Sequence, residues 1–130
     1  MKRLRIPVSP GELVDKITIL EIKSERLTDP QQLRNVTREL GLLRRELQQP
    51  GLETPVLQRL ADQLREVNSE LWRVEDDLRE RERHSDFGAS FIASARAVYQ
   101  HNDRRAEIKR RINIELESDI VEEKSYCVDS

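Results

Sequence analysis

The sequence predicts an all-α fold: an elongated antiparallel bundle of about four helices, two long and two shorter, in one domain over residues 1–130. Three observations carry that prediction. Charged residues make up 37% of the chain and aromatics 4%, with four glycines and five prolines, too few turn and aromatic residues for a β-sandwich or barrel. Apolar residues recur at three- and four-residue spacing along most of the chain. Three pairs, Ser9-Pro10, Asp29-Pro30 and Thr54-Pro55, place a capping side chain before a proline, which is helix-start chemistry.

Residues 3–8 alternate as Arg3-Leu4-Arg5-Ile6-Pro7-Val8, a period of two that predicts a short N-terminal strand. Pro7 lacks a donor, so the segment is either an edge strand or merely extended; Ile120 and Val121 are its partners if the C-terminal tail folds back. Helix 1 is predicted over about 10–27, started by Ser9 with Glu12 three residues on, the spacing of a capping box. Leu13, Ile17, Leu20 and Leu27 form its stripe, widened by Val14 and Ile19. Helix 2, about 31–48, carries Leu33, Val36, Leu40, Leu43 and Leu47, and Pro50-Gly51 ends it. Helix 3, about 55–84, has seven successive apolar positions from Leu57 to Leu78. Helices 2 and 3 are therefore expected to zip into an antiparallel leucine hairpin. After a turn near His84-Ser85-Asp86, with Asp86 as cap, helix 4 runs over about 87–117, from Phe91 and Ile92 to Ile108, Ile112 and Leu116.

The stripe of helix 4 is interrupted at 100–107, where only Ala106 is apolar. Followed at three-four spacing, its seam reads Ile92, Ala95, Tyr99, Asn102, Ala106, Lys109, Asn113. Folding helix 4 back on helix 3 near residue 85 sets Tyr99 near Trp72 and Asn102 near Asn68, with Glu75, Asp76, Arg105 and Lys109 at the rim. One reading is a register device, since a buried Asn in a helical seam fixes alignment. The other is a binding pocket for an anionic or sugar-like ligand, walled by an aromatic ring. The candidate ligand-binding residues are Asn68, Trp72, Asp76, Tyr99, Asn102, Arg105, Lys109 and Asn113, joined by Glu123, Lys124 and Tyr126 if the tail folds back onto the bundle. The alternative is a tail that only closes one end of the bundle, and the sequence leaves both open.

No catalytic constellation emerges. Glu75-Asp76-Asp77 reads as a solvated face paired with nearby arginines, without the spaced Glu-x-x-His partners of a helical metal site. His84 and His101 belong to no ligand motif, and no glycine-rich phosphate loop is present. Cys127, the only cysteine, excludes an intrachain disulfide and a cysteine-based zinc cluster. No cofactor or metal is expected. Twenty-three basic against 25 acidic residues leave a net charge of −2, and acidic neighbours dilute the basic stretch at 104–111, so nucleic-acid binding is not expected. With no apolar stretch behind the basic N-terminus and no apolar run near the ~20 residues of a membrane span, the expectation is a cytoplasmic chain without membrane insertion.

Four strings together resemble a bacterial family of small proteins of unknown function: Ile6-Pro-Val-Ser-Pro-Gly-Glu-Leu through Lys23, Val67-Asn-Ser-Glu-Leu-Trp through Arg79, Ala97-Val-Tyr-Gln-His-Asn through Asn113, and Ile120-Val-Glu-Glu-Lys-Ser-Tyr126. The resemblance covers nearly the whole chain. It implies an association with glycosyltransferase and cell-surface polysaccharide genes, and it supplies no catalytic residues. The functional expectation is a non-catalytic interaction or accessory protein linked to carbohydrate metabolism, with a protein partner or a homodimer. The alternative is a small enzyme or ligand-binding protein using the polar layer. All five aromatics lie between residues 72 and 126 and all five prolines within the first 55, so a specific function is sought in the C-terminal half.

Overall fold

The computed structural model describes residues 2–124. Four helices follow in order: α1 (Pro10–Arg26), α2 (Pro30–Glu46), α3 (Pro55–Arg83) and α4 (Ala89–Glu115). Three begin as their sequence dictates. The side chains of Ser9, Asp29 and Thr54 accept from the backbone N–H groups of Glu12 (3.1 Å), Gln32 (2.9 Å) and Leu57 (3.1 Å), and a proline follows each cap. These bonds satisfy donors that the first helical turn leaves open. The capping box at Ser9 forms only in half, because the Glu12 carboxylate turns to Lys109 and Lys16.

The fourth helix starts differently from expectation. Its N-cap is Gly88, without a side-chain bond, and Asp86 is drawn into an ion pair with Arg81 at 2.8 Å. The α3–α4 turn is closed by Ser85 at φ 51° and a 2.8 Å bond from the Asp86 N–H to the Arg81 carbonyl. The end of α4 repeats this with Glu117 at φ 53° and Ser118 N–H on the Asn113 carbonyl. Both are left-handed helix terminations made without glycine.

Packing departs from the sequence expectation at α2. It lies against α1 and does not pair with α3, which packs instead with α4 and α1. A three-four stripe announces that a face is buried but not which partner covers it. Here α1 has two apolar flanks. Val14 enters a core with Leu57, Leu60, Leu64, Val67 and Leu71 of α3 and Ile108 and Ile112 of α4. Ile17 and Leu20 form a second core with Val36 and Leu40 of α2. The shortest helices are thus not appendages: α1 is the wedge between the long hairpin and α2.

Of the two readings of the N-terminal segment, the strand does not form: no strand occurs among the described residues. Leu4 is 95% and Ile6 72% exposed, so the period-two pattern has no sheet to bury against. The tail returns to the bundle through side chains instead. α1 crosses only the lower part of the α3–α4 hairpin. Above it, residues 72–101 form a two-helix arm in which no residue is buried. No helix of the described residues is long and apolar enough to cross a membrane.

Candidate functional site

The centre of the site is Asp15, whose side chain is 1% exposed. It belongs to a stripe of α1, Gly11-Asp15-Thr18-Ile22 at four-three-four spacing, and all four are buried. A carboxylate so placed loses its hydration and must be compensated by charge and hydrogen bonds. Asn68 of α3 donates to Oδ1 at 2.9 Å and also to the Thr18 hydroxyl at 2.9 Å. Arg105 of α4 clamps both oxygens, with Nε on Oδ1 at 2.9 Å and Nη2 on Oδ2. Lys109 adds its charge 3.8 Å from Oδ2. The bond to Asp15, aided by the charges of Asp15, Glu12 and Glu75, holds Arg105 above the usual arginine pKa.

α1 can approach α4 this closely because residue 11 is glycine. A Cβ there would stand 2.4 Å from the Lys109 carbonyl oxygen and 2.9 Å from the Asn113 Oδ1. The Gly11 N–H donates to that same oxygen at 2.7 Å. Asn113, 2% exposed, then uses its Nδ2 to hold Glu122 of the tail at 3.0 Å, while the Ser9 hydroxyl donates to the other Glu122 oxygen. Burial pushes the Glu122 carboxyl up, but the Ser9 hydroxyl, the backbone, Lys109 and Asn113 together bring it below the usual glutamate range. The tail is thereby pinned at the start of α1, where a negative charge is favoured.

Pinning brings Lys124 over α4, where it bonds Asp103 at 2.7 Å. The result is a cleft of about 260 Å³ lined by Asn102, Arg105, Ala106, Lys109 and Lys124. Among the described residues that line it, three of five are cations. Their counter-charges, Asp15, Glu12 and Asp103, do not line it. The lining therefore offers mainly donors, with the Asn102 Oδ1 3.5 Å from Arg105 Nη1. A neutral sugar, which needs acceptors as well as donors, fits this set poorly, whereas a phosphate, sulfate or carboxylate fits it well.

The sequence candidates divide accordingly. Asn102, Arg105, Lys109 and Lys124 converge on the cleft. Asn68 and Asn113 lie beneath or beside it as supports, bonded to Asp15 and Glu122. Trp72 is half-buried and Tyr99 57% exposed, both above the cleft on the arm. The hairpin register comes from His101 on Glu70 (2.6 Å) and Ser94 on Asp77 (2.8 Å), which sets Tyr99 level with Trp72. Asp76 stands on the exposed face of α3, 3.9 Å from Arg79. Glu123 is 75% exposed opposite Arg110 at 3.6 Å. Tyr126 lies outside the described residues. Asp15 and Glu122 were not among the site candidates, and Ser9 and Glu12 were read only as the capping box of helix 1. The signal for Asp15 was its stripe, in which a glycine and two short polar residues recur at helical spacing.

A second cavity, of about 710 Å³, runs between the N-terminal segment, α1 and α2, walled by Leu4, Ile6, Val8, Leu13, Leu43 and Leu52 among others. Among the described residues no group of three His, Cys, Asp or Glu side chains is placed to hold a metal ion. The acidic run of α3 is engaged in pairs: Asp77 accepts from Arg81 and Ser94 and lies below the usual aspartate range for that reason.

A model of the family of unknown function DUF6165 matches residues 4–129, and the chain belongs to that family. No curated protein and no solved structure matches the chain.

Proposed function

We propose that this member of the DUF6165 family is a non-catalytic helical binding protein that takes a small anion, of the phosphate or carboxylate type, in the cleft between α4 and the tail. One observation carries the reading: Arg105, Lys109 and Lys124 line a single concavity while the acids that balance them lie outside its lining. Each cation is held in place by a carboxylate, so little ordering is left to do on binding. Among the described residues no nucleophile or accessible base lines the cleft, and Asp15 has both oxygens engaged, which favours binding over chemistry. The implied link to carbohydrate metabolism makes sugar phosphates the first ligands to try, and a cytoplasmic setting with its phosphate esters belongs to the same proposal.

The test is an NMR titration of the full chain with inorganic phosphate and with glucose 1-phosphate. Shifts are expected at Asn102, Arg105, Ala106, Lys109 and Lys124, and weakened binding in Lys124→Gln. Resonances that stay still at 10 mM ligand, roughly a hundredfold above a mid-range ligand affinity, would defeat the reading.

A second reading, a docking role toward a protein partner or a second copy, is favoured by the exposed Leu4, Ile6 and Val8 beside the larger groove. Sedimentation of the full chain against Leu4→Ser/Ile6→Ser separates the two. Self-association lost in the variant supports docking, and a monomer at all concentrations removes the homodimer.

A further inference from the structure

We infer that the ligand of this cleft carries a planar ring beside its anionic group, and that Tyr99 is the platform on which the ring stacks, so that the ligand class is a nucleoside phosphate. The inference rests on the anion reading above and adds a second contact to it.

The position of Tyr99 is the first argument. It precedes Asn102 by three residues and Ala106 by seven, so it continues along α4 the stripe that forms the cleft wall. One helical turn, about 5 Å, separates it from Asn102 along the axis. That spacing lets one ligand reach both places.

Exposure is the second. Tyr99 is 57% exposed, on an arm in which no residue is buried. The other exposed aromatic, Phe87, meets Phe91 edge to face with centroids 5.2 Å apart. Among the described residues no ring lies against Tyr99. Its neighbours one turn and two turns up the stripe are Ala95, too small to cover a ring face, and Ile92, itself 48% exposed. An apolar surface of three residues thus begins where the cationic lining ends. This sequence of surfaces, cations and then an open aromatic face, matches a ligand that is charged at one end and flat at the other. A planar base gains stacking energy on a tyrosine whatever its identity, which makes this contact general for nucleotides and selective against a bare sugar phosphate.

The experiment compares inorganic phosphate, ribose 5-phosphate, UMP and AMP on the full chain, followed by NMR or calorimetry, in the wild type, Tyr99→Ala and Tyr99→Phe. Because the side chain is exposed, Tyr99→Ala is expected to fold, which circular dichroism verifies. The nucleotides are expected to bind about tenfold more tightly than ribose 5-phosphate, in line with one stacked base. Tyr99→Ala should erase that gain without altering phosphate affinity, and Tyr99→Phe should retain it. Equal affinities for AMP, UMP and ribose 5-phosphate in the wild type overturn the inference and leave the anion site standing. So does a gain that survives Tyr99→Ala. Absence of binding by all four probes removes the anion site and the inference together.

Discussion

Asp15 and Arg105, ninety positions apart in the chain, form a bidentate ion pair around which α1, α3 and α4 meet. The carboxylate is 1% exposed and the guanidinium 30%. Removal of one partner strands the other in a site built for a pair. Arg105→Ala leaves Asp15 with the Asn68 hydrogen bond and Lys109 at 3.8 Å, and is expected to cost about 3 kcal/mol. Urea denaturation measures this. A double-mutant cycle with Asp15→Asn should show strong coupling, and additive losses would mean that the pair does not act as a unit.

Glycine substitutions should have opposite signs at two helical positions. Gly11→Ala forces a methyl against the Lys109 carbonyl oxygen, a backbone atom that cannot swing aside. A loss of about 1–3 kcal/mol is expected, together with movement of the Asn113 resonances. Gly41 of α2 is exposed and a Cβ there meets nothing within 4 Å. Gly41→Ala should stabilise by about 0.5–1 kcal/mol. Thermal melts of the two variants on either side of wild type are the check.

Helix caps should rank by what they touch. Asp29→Ala and Thr54→Ala each remove one exposed or half-buried cap bond, at about 1 kcal/mol. Ser9 is 1% exposed and bonds both Glu12 N–H and Glu122. Ser9→Ala should therefore approach about 2 kcal/mol and, unlike the other two, speed amide exchange in residues 118–124.

Acid should release the tail. The Glu122 carboxyl has a folded-state pKa below its usual 4.5. A group depressed in this way contributes stability that is fully present above 4.5 and is lost as pH falls through the lower folded value. Exchange protection of the tail should thus decline below about pH 4.5. Glu122→Gln should flatten that dependence, with an effect on global stability below about 1 kcal/mol because the residue is largely exposed. An unchanged acid profile in the variant would assign the loss to other carboxylates.

Much of this architecture is legible in the sequence because it is written locally. Ser9-Pro10, Asp29-Pro30 and Thr54-Pro55 each place a cap and a proline within one turn, and the helices begin there. The turn at Ser85 could be placed because the apolar seam lapses there, although its left-handed residue is not a glycine. Partner choice was not legible. The leucines of α2 and α3 share one spacing, and only the second apolar flank of α1 decides that α2 packs on α1. Asp15 was hidden for a related reason. Between Val14 and Lys16 in a chain that is 37% charged, one carboxylate looks solvated unless the glycine four residues before it is read as a point of helix contact. Lys124 could be named in advance, but the anchor that delivers it, Glu122 on Ser9 and Asn113, spans more than a hundred positions.

The bare stretch from 72 to 101 gives the chain a graded resistance to opening. Below Leu71 and His101, α1 meets the hairpin through Asn68, Arg105, Lys109 and Asn113; above them, no residue of its two helices is buried. Opening from the Ser85 end breaks helical bonds without exposing a sealed interior, so amides there should exchange at a much smaller free energy than those near Leu64 and Ile112. His101 on Glu70 and Ser94 on Asp77 are the stitches along that seam. The first of them lies beside Asn102, at the boundary between the part that breathes and the part that holds, and whatever grips the far side of α4 at that point shifts the boundary outward.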